Sequence, residues 1–328
     1  MEHRCCLTAL GVYLPEQKIT NTDLCALVDT SDEWITTRTG ITCRRKLADT
    51  QTTADMGAEA ARRALAQAGM GIEAVTHIVV GTCTPDKLCP STASLIAGKL
   101  GAGHCMAFDF NAACSGYLYG LSLCRGLLLA EPDARILLIC TEAMTRRLNW
   151  SDRSTCVLFG DGAGACLLTA DAEQPLARLR DVRCTGDGAL APLITFGGGT
   201  EKPQQPGDAL GDDFFLQMQG REVFKHAVRR MVDISEDLLR RNGLSMTDVD
   251  VLVPHQANMR IIEAVGSRLG IPPEKVFTNV AEYGNTSAAS VPLALGEALE
   301  RRFIRSGQRV LCASFGAGLT WGAALLEF

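Results

Sequence analysis

The chain has 328 residues, 47% hydrophobic and 21% charged, enough apolar material for two cores or one large duplicated one. Its net charge of −5 excludes a general nucleic-acid binder but is compatible with a local basic patch that docks an acidic partner. No apolar run approaches the ~20 residues needed to cross a bilayer, and no signal-peptide pattern follows Met1-Glu2-His3-Arg4, so the expected location is the cytoplasm.

In chain order, hydrophobic periodicity predicts a helix over 54–69, a buried strand over 76–80 and a helix over 92–100. A strand-like stretch over 106–110 precedes Cys114, and a helix over 116–129 follows it. Strands are expected over 134–140 and 157–159. The glycine run beginning at Gly160 reads as a hairpin with an Asp161-Gly162 turn, because strand-like residues rather than a helix start follow it. A Gly-, Pro- and Asp-rich loop spans 197–211. Helices are then expected over 221–242, 258–269 and 290–306, and strands over 249–253, 309–314 and 321–328, the last hairpin-like. Strands that alternate with helices and are apolar throughout indicate an α/β fold with a mostly parallel sheet covered on both faces.

A weak internal repeat is visible. The strand near 78–81, the helix ending Lys99-Leu100-Gly101 and the Cys114 turn recur as the strand near 251–253, the helix ending Arg268-Leu269-Gly270 and the Asn285 turn. This predicts a duplicated α/β unit with halves 1–172 and 173–328, whose pseudo-twofold axis would bring Cys114 and Asn285 to one centre.

The fourteen cysteines form no C-x-x-C pair and no ligand cluster with the five histidines, so no metal is expected. Cys140, Cys156, Cys166 and Cys312 sit in apolar runs, where cysteine acts as a small hydrophobe. Cys114 differs. At a strand-to-helix turn, free N–H groups and the helix dipole are expected to stabilise its thiolate. His255, in Pro254-His255-Gln256-Ala257-Asn258, and Asn285, in Tyr283-Gly284-Asn285-Thr286-Ser287, offer a possible partner set for covalent acyl-thioester chemistry. A Cys, His and Asn also serve papain-like hydrolases, but the protease signature around the nucleophile is absent.

Three runs, FNAACSG around Cys114, PHQAN around His255 and YGNTSAAS around Asn285, resemble the active-site segments of β-ketoacyl-acyl-carrier-protein synthase III. The resemblance also covers Asp32-Glu33-Trp34-Ile35, Thr37-Arg38-Thr39-Gly40, Asn149-Trp150-Ser151-Asp152-Arg153, Phe159-Gly160-Asp161-Gly162-Ala163-Gly164 and Ser314-Phe315-Gly316-Ala317-Gly318. It implies a thiolase-like fold layered αβαβα, a homodimer, and no cofactor, acyl-CoA being a substrate. Partners would be acyl-CoA and malonyl-acyl-carrier protein, with neither nucleic acid nor membrane. The implied reaction is the initiating condensation of type II fatty-acid synthesis, with acetyl-CoA as the expected primer. The alternative is a same-fold enzyme that primes a secondary metabolite or takes a longer acyl-CoA.

The same resemblance implies site roles. Cys114 would carry the acyl group, and His255 and Asn285 would donate to the enolate left by decarboxylation. The backbone N–H groups of Cys114 and Ala317 would hold the oxyanion. Trp34, Arg38, Arg153 and Asn258 would bind CoA or pantetheine. Gln256, Ala257, Asn258, Met259, Arg260 and Lys225 would meet the carrier protein, with Arg229, Arg230 and Arg268 extending the basic patch. Cys89 stands where some family members place a Phe across the dimer into the acyl pocket, which implies a larger pocket here. Arg221 replaces an Asn often found after the glycine at position 220.

Overall fold

The computed structural model describes residues 5–200, 208 and 210–328. The chain opens with β1 (Cys6–Tyr13) and a small lobe of β2 (Gln17–Thr20), α1 (Asn21–Cys25), α2 (Asp32–Thr39) and β3 (Cys43–Lys46). Then come α3 (Thr53–Ala68), β4 (His77–Gly81), α4 (Thr92–Leu100), β5 (Met106–Phe110), α5 (Gly116–Ala130), β6 (Arg135–Ala143) and β7 (Asp161–Thr169). β8 (Ala177–Gly186) leads through the short pair β9 (Ile194–Thr195) and β10 (Gln217–Met218) to α6 (Gly220–Arg241). The chain closes with β11 (Val251–Pro254), α7 (Met259–Arg268), α8 (Val280–Tyr283), α9 (Ser290–Glu300), β12 (Arg309–Gly316) and β13 (Thr320–Glu327).

Nine strands form one sheet in the order β11-β12-β13-β8-β1-β7-β6-β4-β5. Pairing is parallel at both ends, β11 with β12 and β6 with β4 with β5, and antiparallel through the middle, so the sheet is mixed. β1 and β8 meet through only two residue pairs, Cys6 with Arg178 and Leu7 with Ala177. Side chains alternate across the strands. Ile136, Leu138, Val310 and Cys312 face a core shared with α5 and α9. Leu137 and Ile139 face α3 and α4, whereas Leu311 and Ala313 face α6 and α7. The two halves of this one sheet thus enclose α5 and α9 as a central helical layer, with α3 and α4 outside one half and α6 and α7 outside the other, the αβαβα layering.

Three expected elements differ. The expected helix over 290–306 ends at Glu300, and Arg302 adopts φ +55° as the chain turns away. The expected strand over 157–159 and Asp-Gly hairpin turn are absent. Phe159 makes only an isolated bridge to Asn285, and Asp161 begins β7. The Asp161 carboxylate is buried and accepts from the amides of Leu47 and Thr145 (2.8 Å each) and the Thr145 hydroxyl (2.6 Å). It staples three segments together instead of capping a turn.

The repeat places its two turns face to face. Short 3₁₀ turns, Ala113–Ser115 and Ser287–Ala289, precede α5 and α9 and start in parallel ways. Ala113 has φ +46° and Ser287 φ +49°, a left-handed conformation that costs non-glycine residues about 1–2 kcal/mol. The helix starts abut so closely that a Cβ on Gly116 would lie 2.8 Å from the Ala288 Cβ.

Candidate active site

Cys114 leaves β5 through a turn held by the Ala113 amide donating to Asn111 Oδ1 (3.0 Å). The Ser115 hydroxyl donates to the Thr320 carbonyl (2.9 Å), and the Thr320 hydroxyl reaches the carbonyls of Ala112 and Ala317 (3.0 Å each). These bonds tie the Cys114 turn to the β12–β13 hairpin. Gly316 lies against the turn: a Cβ there would sit 2.7 Å from the Cys114 amide nitrogen. Among the described residues, the amides of Cys114 and Ala317 have no carbonyl acceptor.

His255 follows β11, its amide donating to the Ala313 carbonyl (2.7 Å), and its ring is buried. Nδ1 lies 2.6 Å from the hydroxyl of Ser290, the first residue of α9, which leaves Nε2 to the chamber. Burial pushes the imidazole down to about 3, so the ring is neutral at working pH. A hydroxyl can donate to Nδ1 or accept from it, so Ser290 supports either ring tautomer.

Asn285 is clamped by its backbone: its amide donates to the Leu158 carbonyl (2.8 Å), and its carbonyl accepts from the Gly160 amide (3.1 Å). Gly284 precedes it at φ +65°, and a Cβ there would lie 2.7 Å from the Leu158 oxygen, so only glycine fits. Asn285 Oδ1 accepts from the Ser287 amide (2.9 Å), which turns Nδ2 toward the chamber.

Cys114, His255 and Asn285 line one cavity of about 230 Å³. Trp34, Arg38 and Asn258 line the same cavity, and beside the cysteine Cys83, Met144, Phe159 and Leu216 form an apolar cluster. Arg38 and Arg153 lie over the Trp34 ring, at 5.5 and 4.8 Å from its centroid. The Asn258 side chain accepts from the Arg260 amide at the start of α7 (2.9 Å) and donates to the Arg38 carbonyl (3.3 Å), joining α2 to α7.

Two expectations need correction. The resting Cys114 is a thiol, because burial pushes it up to about 12 and outweighs the opposing influence of the nearby Ser287 hydroxyl. Ionisation must therefore accompany attack. Gln256 cannot meet a carrier protein. It is buried, its Nε2 donates to the carbonyls of Pro254 (2.7 Å) and Phe277 (3.3 Å), and its Oε1 accepts from the amides of Asn279 (2.9 Å) and Val280 (3.2 Å). Cys89 is exposed and lies outside the cavity of its own chain.

The expected basic patch is largely neutralised. Lys225 pairs with Glu222 (2.8 Å), Arg229 with Asp233 (3.6 Å), and Arg230 with Asp187 (3.8 Å) while stacking on Trp321. Arg260 and Arg268 have no carboxylate within ion-pair distance among the described residues, and Ala257 and Met259 are half-buried beside them. Sequence reasoning missed Ser290 and Ser287, both inside the YGNTSAAS run, and Glu142. A lone carboxylate near the end of the mostly apolar strand 135–143 was the available signal for the last. Among the described residues, no group of three His, Cys, Asp or Glu side chains is placed to hold a metal ion, and no helix is long and apolar enough to cross a membrane.

Two abutting α/β repeats with a cysteine, a histidine and an asparagine at their junction define a thiolase-like fold of the condensing-enzyme class. Residues 108–188 match the family model for 3-oxoacyl-[acyl-carrier-protein] synthase III, and residues 239–328 match the model of its C-terminal part. The chain belongs to this family. It is 59% identical to the β-ketoacyl-[acyl-carrier-protein] synthase III of Nitratidesulfovibrio vulgaris (strain DSM 19637 / Miyazaki F) over 324 residues, covering 99% of this chain and 98% of the relative. The crystal structure of the corresponding synthase from Aquifex aeolicus superposes with a TM-score of 0.90 at 42% identity, covering 99% of this chain and all of that one. A priming β-ketosynthase from the R1128 polyketide pathway superposes with a TM-score of 0.89 at 34% identity, covering 99% and 97%.

Proposed function

We propose that this protein condenses an acyl-CoA with malonyl-acyl-carrier protein to give a β-ketoacyl-acyl-carrier protein, opening type II fatty-acid synthesis. Cys114 Sγ attacks the acyl-CoA carbonyl while its proton passes to His255 Nε2. The amides of Cys114 and Ala317 donate to the tetrahedral oxyanion, and the proton moves on to the departing CoA sulfur. Both partners rest uncharged, which suits a proton transfer coupled to attack. Malonyl-carrier protein then binds and loses carbon dioxide. Asn285 Nδ2 and the His255 Nε2–H stabilise the enolate oxygen, and the carbanion attacks the acyl-Cys114 carbonyl and expels the Cys114 thiolate, which takes a proton from solvent to restore the resting thiol.

The observation that carries this reading is the orientation of Asn285. Its oxygen is occupied by the Ser287 amide, so the end facing Cys114 can only donate. A uncharged amide donor serves a developing enolate at any working pH. Trp34 and Arg153 offer an aromatic face and a cation to the CoA adenine, with Arg38 beside them. Arg260 remains the carrier-protein contact best supported, with Lys225, Ala257, Asn258 and Met259 near it in the proposed surface. A cytoplasmic homodimer, with halves divided near 172/173 and Cys89 reaching the partner's pocket, completes the reading.

Acetyl-CoA is the proposed primer. The apolar cluster of Cys83, Met144, Phe159 and Leu216 favours a second reading, a longer acyl-CoA or the priming of another product. Incubation with a panel of acyl-CoAs, intact mass measurement and then addition of malonyl-carrier protein tests both. An acyl adduct on Cys114 that only water discharges would refute condensation.

A further inference from the structure

Glu142, near the end of β6, is wholly buried behind the Cys114 chamber and pairs with no cation among the described residues. Its two oxygens instead collect neutral donors. The hydroxyls of Thr84 (2.6 Å), Ser287 (3.0 Å) and Thr82 (3.2 Å) point at them, with the Cys83 amide (3.1 Å) and the Cys83 thiol (3.2 Å). Burial raises the Glu142 carboxyl above its ordinary value, and the five converging donors oppose that shift by favouring the acceptor-only, ionised form. A buried anion that lacks a counter-ion is costly, and such groups are retained where they have work to do.

Ser287 is the link to the reacting atoms. Its backbone is held at φ +49°, its amide fixes Asn285 Oδ1 (2.9 Å), and its hydroxyl donates to Glu142. Ser287 lines the same cavity as Cys114. A left-handed serine persists only where its surroundings hold it, and the hydroxyl bond to Glu142 is part of what holds this one.

We propose that Glu142 is a positioning residue for the condensation step: through Ser287 it holds the Asn285 amide with Nδ2 facing Cys114. The proposal rests on the roles given above to Cys114 and Asn285. It predicts unequal effects on the two half-reactions, since Asn285 serves the enolate and not the first acyl transfer. The carboxylate also acts electrostatically on the thiols that surround it, Cys83, Cys114 and Cys140, and raises each of them. Removing the charge should therefore ease ionisation of Cys114.

Glu142→Gln tests this, because it keeps the shape but turns an N–H2 toward hydroxyls that need an acceptor. Three readouts are taken: acyl adduct on Cys114 by intact mass, β-ketoacyl product release, and the pH midpoint of iodoacetamide alkylation on the Cys114 peptide. Product release should fall about tenfold or more, adduct formation should fall less than about threefold, and the alkylation midpoint should move to lower pH. Parallel loss of both half-reactions, or wild-type condensation with an unmoved midpoint, overturns the proposal. If Glu142→Gln fails to fold, Ser287→Ala removes the same hydroxyl bond without touching the buried charge. It should show the same split, and wild-type condensation in it overturns the proposal equally. Wild-type protein that never forms the adduct would instead overturn the proposed function.

Discussion

Gly316→Ala tests the assignment of the oxyanion site most directly. The added Cβ would lie 2.7 Å from the Cys114 nitrogen, 3.0 Å from the Ser115 nitrogen and 3.1 Å from the Cys114 Cβ, where ordinary contact starts at 3.4 Å. Relief requires the nucleophile's turn to move by the difference between 3.4 and 2.7 Å, about 0.7 Å. Neither side yields easily, because Ser115 and Thr320 tie the turn to the same hairpin that carries residue 316. A displacement of that size costs a reacting group on the order of 10²-fold, and loss of one oxyanion donor costs ~10²–10³. The acylation rate should fall by at least about 10², with about 1–3 kcal/mol of overpacking visible in thermal unfolding.

Pre-steady-state CoA release and intact mass report the acylation step itself. Gly126→Ala in α5 is the control. Its Cβ would meet nothing within 4 Å, so it should acylate normally and gain about 0.5–1 kcal/mol of stability. Gly316→Ala that acylates within about threefold of wild type would refute the reasoning, since so small a change is under 1 kcal/mol of barrier.

Cys114→Ser should form no thioester adduct, as followed by intact mass. Asn285→Ala should keep acylation while losing about 10²-fold or more in product release; equal loss in both steps would contradict the role given to it. Trp34→Ala should raise KM for acyl-CoA roughly 2–30-fold, the equivalent of ~0.5–2 kcal/mol of stacking, with kcat little changed. His255, held down near 3 from an unfolded value of 6.5, contributes stability that is complete above pH 6.5 and is lost as pH falls toward 3. The slope is about 1.4 kcal/mol per pH unit, and His255→Asn should lack it in urea titrations across that window. Asp161, raised to about 6, works oppositely between 3.8 and 6, so the difference between variants isolates His255.

Much of this protein was legible as local pattern. The apolar runs 76–80, 134–140 and 309–314 became β4, β6 and β12 because a strand covered on both faces must be hydrophobic throughout. The repeat of strand, helix and turn foretold the meeting of Cys114 and Asn285. Less legible was β1, whose mixed run at the chain's start became a central strand through pairings with residues 150 or more positions away. Asp161-Gly162 looked like a turn, and only its contacts with Leu47 and Thr145 showed a buried staple.

Taken alone, then, the sequence singled out Cys114, His255 and Asn285 as the candidate reacting set, since their chemistry and neighbours along the chain are local properties. Tertiary structure decided their state. Burial keeps Cys114 a thiol and His255 neutral, and it withdraws Gln256 from the surface. Desolvation and hydrogen-bond direction depend on residues distant in the chain: Ser290 on His255, Ser287 on Asn285, and Glu142 behind them. No run of neighbouring letters records those distances.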